Sequence, residues 1–277
     1  TRNVAIGHQS MLSATEAERN TAVGLETLSL LTTGDRNVAV GQNALYANTT
    51  ADNNTAVGAL ALTANTTGTN NVAVGANALD ANTTGSSNVS FGRNSLSSNT
   101  TAINNTAIGT SALELNTTGE NNTALGRVAL LVNTSGAANT AVGSTALDAN
   151  TTGSSNVAVG MNALGANTTA SENTAVGVSC LSTNTTGASN TAVGRLALNV
   201  HESGNDNVAI GKSALAASTT GFSNVAVGKD AMLSITTANN NVAVGTSALD
   251  ACTTASANTA VGAGTLGATT TGPENSA

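Results

Sequence analysis

Few side chains in this chain could do chemistry, and their spacing keeps them apart. The sequence holds two histidines, His8 and His201, and two cysteines, Cys180 and Cys252. General acid–base or nucleophilic catalysis needs partners within hydrogen-bond reach. The histidines fall in the first and twelfth copies of a repeat, in different columns, and the cysteines never stand at ligand spacing with a histidine. Four acids, Asp80, Glu114, Asp148 and Asp250, share one column, but other residue types interrupt them and they read as surface charges. Five of the basic residues, Arg93, Arg127, Arg195, Lys212 and Lys229, share another column, broken by Thr110, Ser144, Met161 and Val178. That column reads as a solvated edge rather than a binding stripe. We expect no enzyme, no catalytic site, no cofactor and no metal.

The elements that position these residues are set by a strict repeat. Every 17 residues the chain restarts Asn-(Val/Thr)-Ala-(Val/Ile)-Gly, giving sixteen full copies over 3–274 and a partial one at 275–277. A short invariant period means that each unit meets the same neighbours as the last, which predicts one repeat solenoid over 1–277. Numbered from its Asn, the repeat reads N-[VT]-A-[VI]-G-x-x-[AS]-L-x-A-N-T-T-[GA]-x-x. Positions 2 and 4 carry β-branched residues at strand period and are expected to face a core, joined there by the Leu of position 9. The Asn-Thr-Thr-Gly run reads as a turn. An all-β solenoid of coils stacked at about 4.8 Å follows, roughly 75 to 80 Å long.

Four columns are candidate structural sites. The Asn of position 1 (Asn37, Asn71, Asn105, Asn139) is expected to form a ladder of stacked amides. The Gly of position 5 (Gly41, Gly75, Gly143) marks a corner that needs positive φ or close backbone approach. The Leu of position 9 (Leu45, Leu79, Leu147) anchors the core. The Ala of position 3 (Ala39, Ala73, Ala141) varies only to Ser90, yet lies on the strand face opposite positions 2 and 4. Two readings are open: an outward face packed closely against another chain, or a flattened coil with both strand faces internal. A thin coil offers about three large apolar side chains, each worth roughly 1.5 to 3 kcal/mol on burial. Ordering its seventeen residues costs about 1.5 kcal/mol apiece. A core shared in a parallel, in-register homotrimer is therefore expected.

The runs Asn37 to Leu45, Asn71 to Leu79 and Asn156 to Leu164 resemble the head repeats of trimeric autotransporter adhesins, with their Ser-Val-Ala-Ile-Gly phrase. The fuller unit, Asn-Thr-Ala-Val-Gly-x-x-Ala-Leu-x-x-Asn-Thr-Thr-Gly, is also similar to repeats of phage and environmental tail-fibre proteins. The resemblance covers Asn3 to Glu274. It implies a trimeric left-handed β-roll, used as an extracellular shaft or head that positions a host- or surface-attachment site. The 17-residue period departs from the adhesin pattern, where about fourteen is typical.

Composition agrees with an extracellular or virion fibre. Only 8% of residues are charged, so solubility rests on Asn, Thr and Ser, and the net charge of −7 argues against nucleic acid. No apolar run is long enough for membrane insertion. Because the sequence begins and ends inside a repeat, it reads as a segment of a longer fibre, with self-association along or end to end and a receptor held by regions outside it. Cys180 and Cys252 lie four coils apart, roughly 19 Å of rise, too far for a disulfide, and read as buried reduced thiols. Phe91 replaces a position-4 residue and is expected in the core; with Tyr46 and Phe222 it makes too few rings for a sugar platform. The Asn-Thr-Thr triplets match the N-glycosylation pattern, but the turn explains their regularity. The alternative function is a single-chain ice-binding or scaffold solenoid. Of the Thr-Thr pair at positions 13 and 14, alternation allows only one outward rank.

Overall fold

In a computed structural model of the chain, residues 2–268 and 270–277 are described. The chain divides into two compact units, Thr1–Ala138 and Asn139–Ala277. Each is a parallel β-solenoid in which one 17-residue repeat makes one coil, and the described residues include no helix. In the first unit the strands are β1 (Val4–Ile6), β2 (Thr21–Val23), β3 (Val38–Val40), β4 (Thr55–Val57), β5 (Val72–Val74), β6 (Val89–Phe91), β7 (Thr106–Ile108) and β8 (Thr123–Leu125). Their register equals the repeat, as where Val38, Ala39 and Val40 pair with Thr55, Ala56 and Val57. The second unit repeats the arrangement from β9 (Thr140–Val142) and β10 (Val157–Val159) to β16 (Thr259–Val261).

Each strand is three residues long because position 5 ends it. Gly143 adopts φ +134, and a Cβ there would stand 2.5 Å from the Gly160 carbonyl oxygen of the next coil. Both conformation and proximity exclude a side chain. After the glycine the chain turns through residues with left-handed backbone at positions 7 and 9, such as Asn43 (φ 56) and Leu45 (φ 52). A left-handed leucine costs roughly 1–2 kcal/mol. Its complete burial, worth about 1.5–3 kcal/mol, offsets that. Backbone groups in these turns bond from coil to coil: Asn43 N–H donates back to Leu25 O (2.9 Å), and Leu45 N–H donates forward to Ala61 O (3.1 Å). The turn is thus as fully paired as the strand.

The strand is in the opposite phase to the one expected. Ala39, Ala73 and Ala141 are fully buried, whereas Val38 and Val40 are half-exposed. Ala at position 3 therefore faces inward, and the β-branched residues of positions 2 and 4 face out. Period-2 alternation holds, but a one-residue shift of phase exchanges the faces. The reason is width: the strand packs across the coil against position-8 residues such as Ala44 and Ser95, which leaves room for only the smallest side chains. Where position 3 is Ser90, position 8 is Ser95, and their hydroxyls meet at 2.5 Å inside the coil. Phe91 follows the same rule and is 54% exposed, not in the core. The interior of a coil consists of positions 1, 3, 8, 9, 12 and 15, for instance Asn37, Ala39, Ala44, Leu45, Asn48 and Ala51.

Candidate functional site

Both asparagine columns lie inside the coils. At position 1 the ladder runs from side chain to backbone: Asn37 N–H donates to Asn20 Oδ1 (2.8 Å), and Asn37 Nδ2 donates to Ala51 O (2.8 Å). Asn71 and Asn105 repeat both bonds, and Asn139 donates from Nδ2 to Gly153 O (2.9 Å) while its Oδ1 accepts Asn156 N–H (3.0 Å). The expected amide-to-amide ladder is present in the second unit, where Asn156 Nδ2 donates to Asn139 Oδ1 (3.1 Å) and Asn207, Asn224, Asn241 and Asn258 each donate likewise to the position-1 amide before them. A second such ladder runs along position 12, within the stretch that reads as a turn in the sequence. Asn82 Nδ2 donates to Asn65 Oδ1 (2.9 Å) and to Gly85 O (2.9 Å), and Asn99 and Asn116 continue the series. These are the asparagines of the Asn-Thr-Thr triplets. They are fully buried, so the folded coil offers no amide for glycosylation.

The other candidate columns are also structural. Gly41 (φ +129) and Gly75 (φ +136) sit against the Gly58 and Gly92 carbonyl oxygens as Gly143 does against that of Gly160. Leu45, Leu79 and Leu147 are fully buried, among the largest side chains that the coils enclose. The structure brings Asn, Ala, Gly and Leu of one coil together as a packing unit. The Asn, Ala and Leu are buried, and the Gly is half-buried at the corner.

What does reach solvent falls into three ordered faces. Positions 2 and 4 form an apolar and Thr-bearing face over the strands, including exposed Val57, Ile108 and Leu125 in the first unit and Ile210, Val244 and Val261 in the second. Positions 13 and 14 form a threonine edge in which only one rank is free. The hydroxyl of position 13 donates to the next coil, as Thr32 Oγ1 does to Thr49 O (3.0 Å), while position 14 is exposed. Positions 6, 7, 10 and 11 form the third face. In the second unit it contains a shallow hollow of about 500 Å³ lined by Val200, Ala216, Ala217, Leu233 and Ser234.

No family model matches this chain, and no curated protein matches it. The reactive groups are isolated from one another. Cys180 and Cys252 are free and buried; burial pushes the Cys180 thiol up to about 12 and raises that of Cys252, so neither is a ready nucleophile. His201 is fully buried at position 12, and its Nε2 lies 2.8 Å from Gly204 O. A carbonyl only accepts, so Nε2 carries the proton and Nδ1 is left facing Ser218 Oγ at 3.5 Å. Burial lowers the His201 pKa. His8 is exposed in the other unit. Among the described residues no three His, Cys, Asp or Glu side chains gather as a metal site, and no helix is long and apolar enough to cross a membrane.

Proposed function

We propose that the chain is a non-enzymatic segment of an extracellular fibre, a shaft or head that holds an attachment site away from a virion or cell. In this reading it associates with copies of itself as a parallel, in-register homotrimer. The observation that carries the proposal is the uncovered face of positions 2 and 4, where a short strand in every coil points Val, Ile, Leu, Phe or Thr outward. Repeated apolar exposure of that kind marks an interface. A partner copy in the same register would meet it coil for coil, and the resemblance to trimeric adhesin and tail-fibre repeats leads to the same arrangement. The surface sealed by the partner is thus positions 2 and 4, in place of the Ala column.

Light scattering coupled to size exclusion tests this, with an expected mass three times 26.8 kDa. Glutamates on the outward face, Val74→Glu with Val159→Glu, should return the mass to that of one chain without loss of β-structure. A native chain that runs as a monomer removes the proposal.

A second reading draws on the same face. Positions 2 and 4 are two outward ranks separated by one inward residue, the geometry that the Thr-Thr pair cannot supply. Thermal hysteresis from a monomeric chain, lost on Thr106→Glu, would establish ice binding there in place of self-association.

A further inference from the structure

Position 6 holds basic residues in three successive coils of the second unit, Arg195, Lys212 and Lys229, all exposed. On one side the column holds Ser144, Met161 and Val178, and on the other Thr246 and Ala263. Neighbouring coils stack about 4.8 Å apart, so the three cations line roughly 10 Å. Along this column Lys229 Nζ pairs with Asp230 Oδ2 at 3.2 Å, and the three-residue run stays net basic in a chain of charge −7. The hollow lined by Val200, Ala216, Ala217, Leu233 and Ser234 belongs to positions 10 and 11 of the same three coils, and position 10 adjoins position 7, the residue next to each cation, as Gly165 does Asn162. A cationic column beside an uncharged recess is a different object from the solvated edge that the interrupted column suggested.

We infer that this surface binds a linear acidic polysaccharide. The anionic groups of such a chain would run along the cations from coil to coil, while the hollow takes the C–H face of a sugar ring. Charge complementarity selects the anion. The apolar part is recessed, whereas a membrane surface is met by apolar side chains that protrude. The five lining residues include no aromatic ring, which a single-stranded nucleic acid would need for stacking. Positions 6, 10 and 11 lie off the strand face, so the inference stands whether or not the chain self-associates there.

The test measures affinity of the full chain for polygalacturonate and dextran sulfate at low salt, with neutral dextran, linear polyphosphate and anionic phospholipid vesicles as comparisons. Both acidic polysaccharides should bind, and binding should weaken as salt rises. The combined change Arg195→Gln, Lys212→Gln, Lys229→Gln should lower affinity at least about tenfold, a loss near 1.4 kcal/mol. Arg93→Gln with Arg127→Gln, isolated cations of the first unit, should leave it unchanged. Ala217→Trp, which fills the hollow, should weaken polygalacturonate without altering the salt dependence. The substituted side chains lie at the surface, and circular dichroism verifies that each variant is folded. Equal affinity of the triple variant overturns the inference. So does binding of polyphosphate as tight as polygalacturonate and indifferent to Ala217→Trp, or binding of vesicles with none of polysaccharide. The light-scattering mass is read separately, so the fibre reading can fail or hold independently.

Discussion

The two units share one repeat but differ at position 12. In the first unit Ala14 and Leu31 precede an unbroken run, Asn48, Asn65, Asn82, Asn99, Asn116 and Asn133, each donating to a carbonyl of its own coil and, after the first, to the amide before it. In the second, Asn150, Asn167 and Asn184 give way to His201, Ser218, Ile235 and Cys252, all buried. The substitutions keep part of the pattern. His201 still reaches Gly204 O, and Cys252 Sγ approaches Ala255 O at 3.6 Å. They lose the continuity, because Asn184 Oδ1 faces His201 instead of another amide and is left without a partner. A polar ladder therefore tolerates local replacement when each coil can satisfy itself. The residual cost falls on the coil next to the break.

The corner should not distinguish the units. Gly75→Val in the first and Gly143→Val in the second combine positive φ with a backbone clash, and each should cost more than about 3 kcal/mol. Limited proteolysis with fragment masses should show a new cut beside the altered coil in each case; unchanged digestion would refute the corner role. Interrupting the intact ladder comes next. Asn99→Ala strips Asn82 Oδ1 of its donor and Asn116 Nδ2 of its acceptor, and should destabilise the first unit by about 2–4 kcal/mol. The reciprocal change, His201→Asn, should stabilise the second by about 1 kcal/mol, read in chemical unfolding. If both changes destabilise, the break at His201 is not a defect.

Acid should widen the difference. The His201 pKa is depressed in the folded state, so the unfolded chain takes up the proton first. Stability is complete above the ordinary histidine value of about 6.5 and is lost as pH falls below it towards the folded pKa. The side chains stacked against it, Asn184 and Ser218, are neutral, and the charge that acts on it is that of Glu202. Unfolding of the second unit should become easier between pH 7 and pH 5, by at most about 1.4 kcal/mol per pH unit, and His201→Asn should abolish the slope. Asp80 and Asp148, raised mainly by burial, work the other way: protonation through their raised values relieves a penalty, one residue in each unit. The smallest expected signal is thiol labelling. Both cysteines belong to the second unit, and a maleimide at pH 7 should leave them unmodified until that unit opens. Prompt labelling of the native chain would contradict their burial.

Much of this architecture is legible in the sequence, residue by residue. Gly41 never varies because no other residue fits its φ and its neighbour, and Leu45 varies only to Met because its site is closed. Position 12 was harder to read. Asn is a common turn residue, and the column also holds Ala14, Leu31, His201, Ser218, Ile235, Cys252 and Thr269, a range that does not announce a buried ladder. The pairing of Ser90 with Ser95 was available as a signal, since the one departure from Ala at position 3 coincides with a polar residue at position 8. The basic run at Arg195, Lys212 and Lys229 was visible too, but not the hollow beside it, because side chains of three coils form that recess together.

The sequence by itself determined the period, the in-register parallel stacking and the corner at each glycine, because these depend on backbone conformations that few residue types allow. Only the tertiary structure decided which face of the strand is inside. Alternation defines two faces without ranking them, and the usual rule of large apolar residues inward reverses when the space across the coil admits only a side chain as small as Ala or Ser.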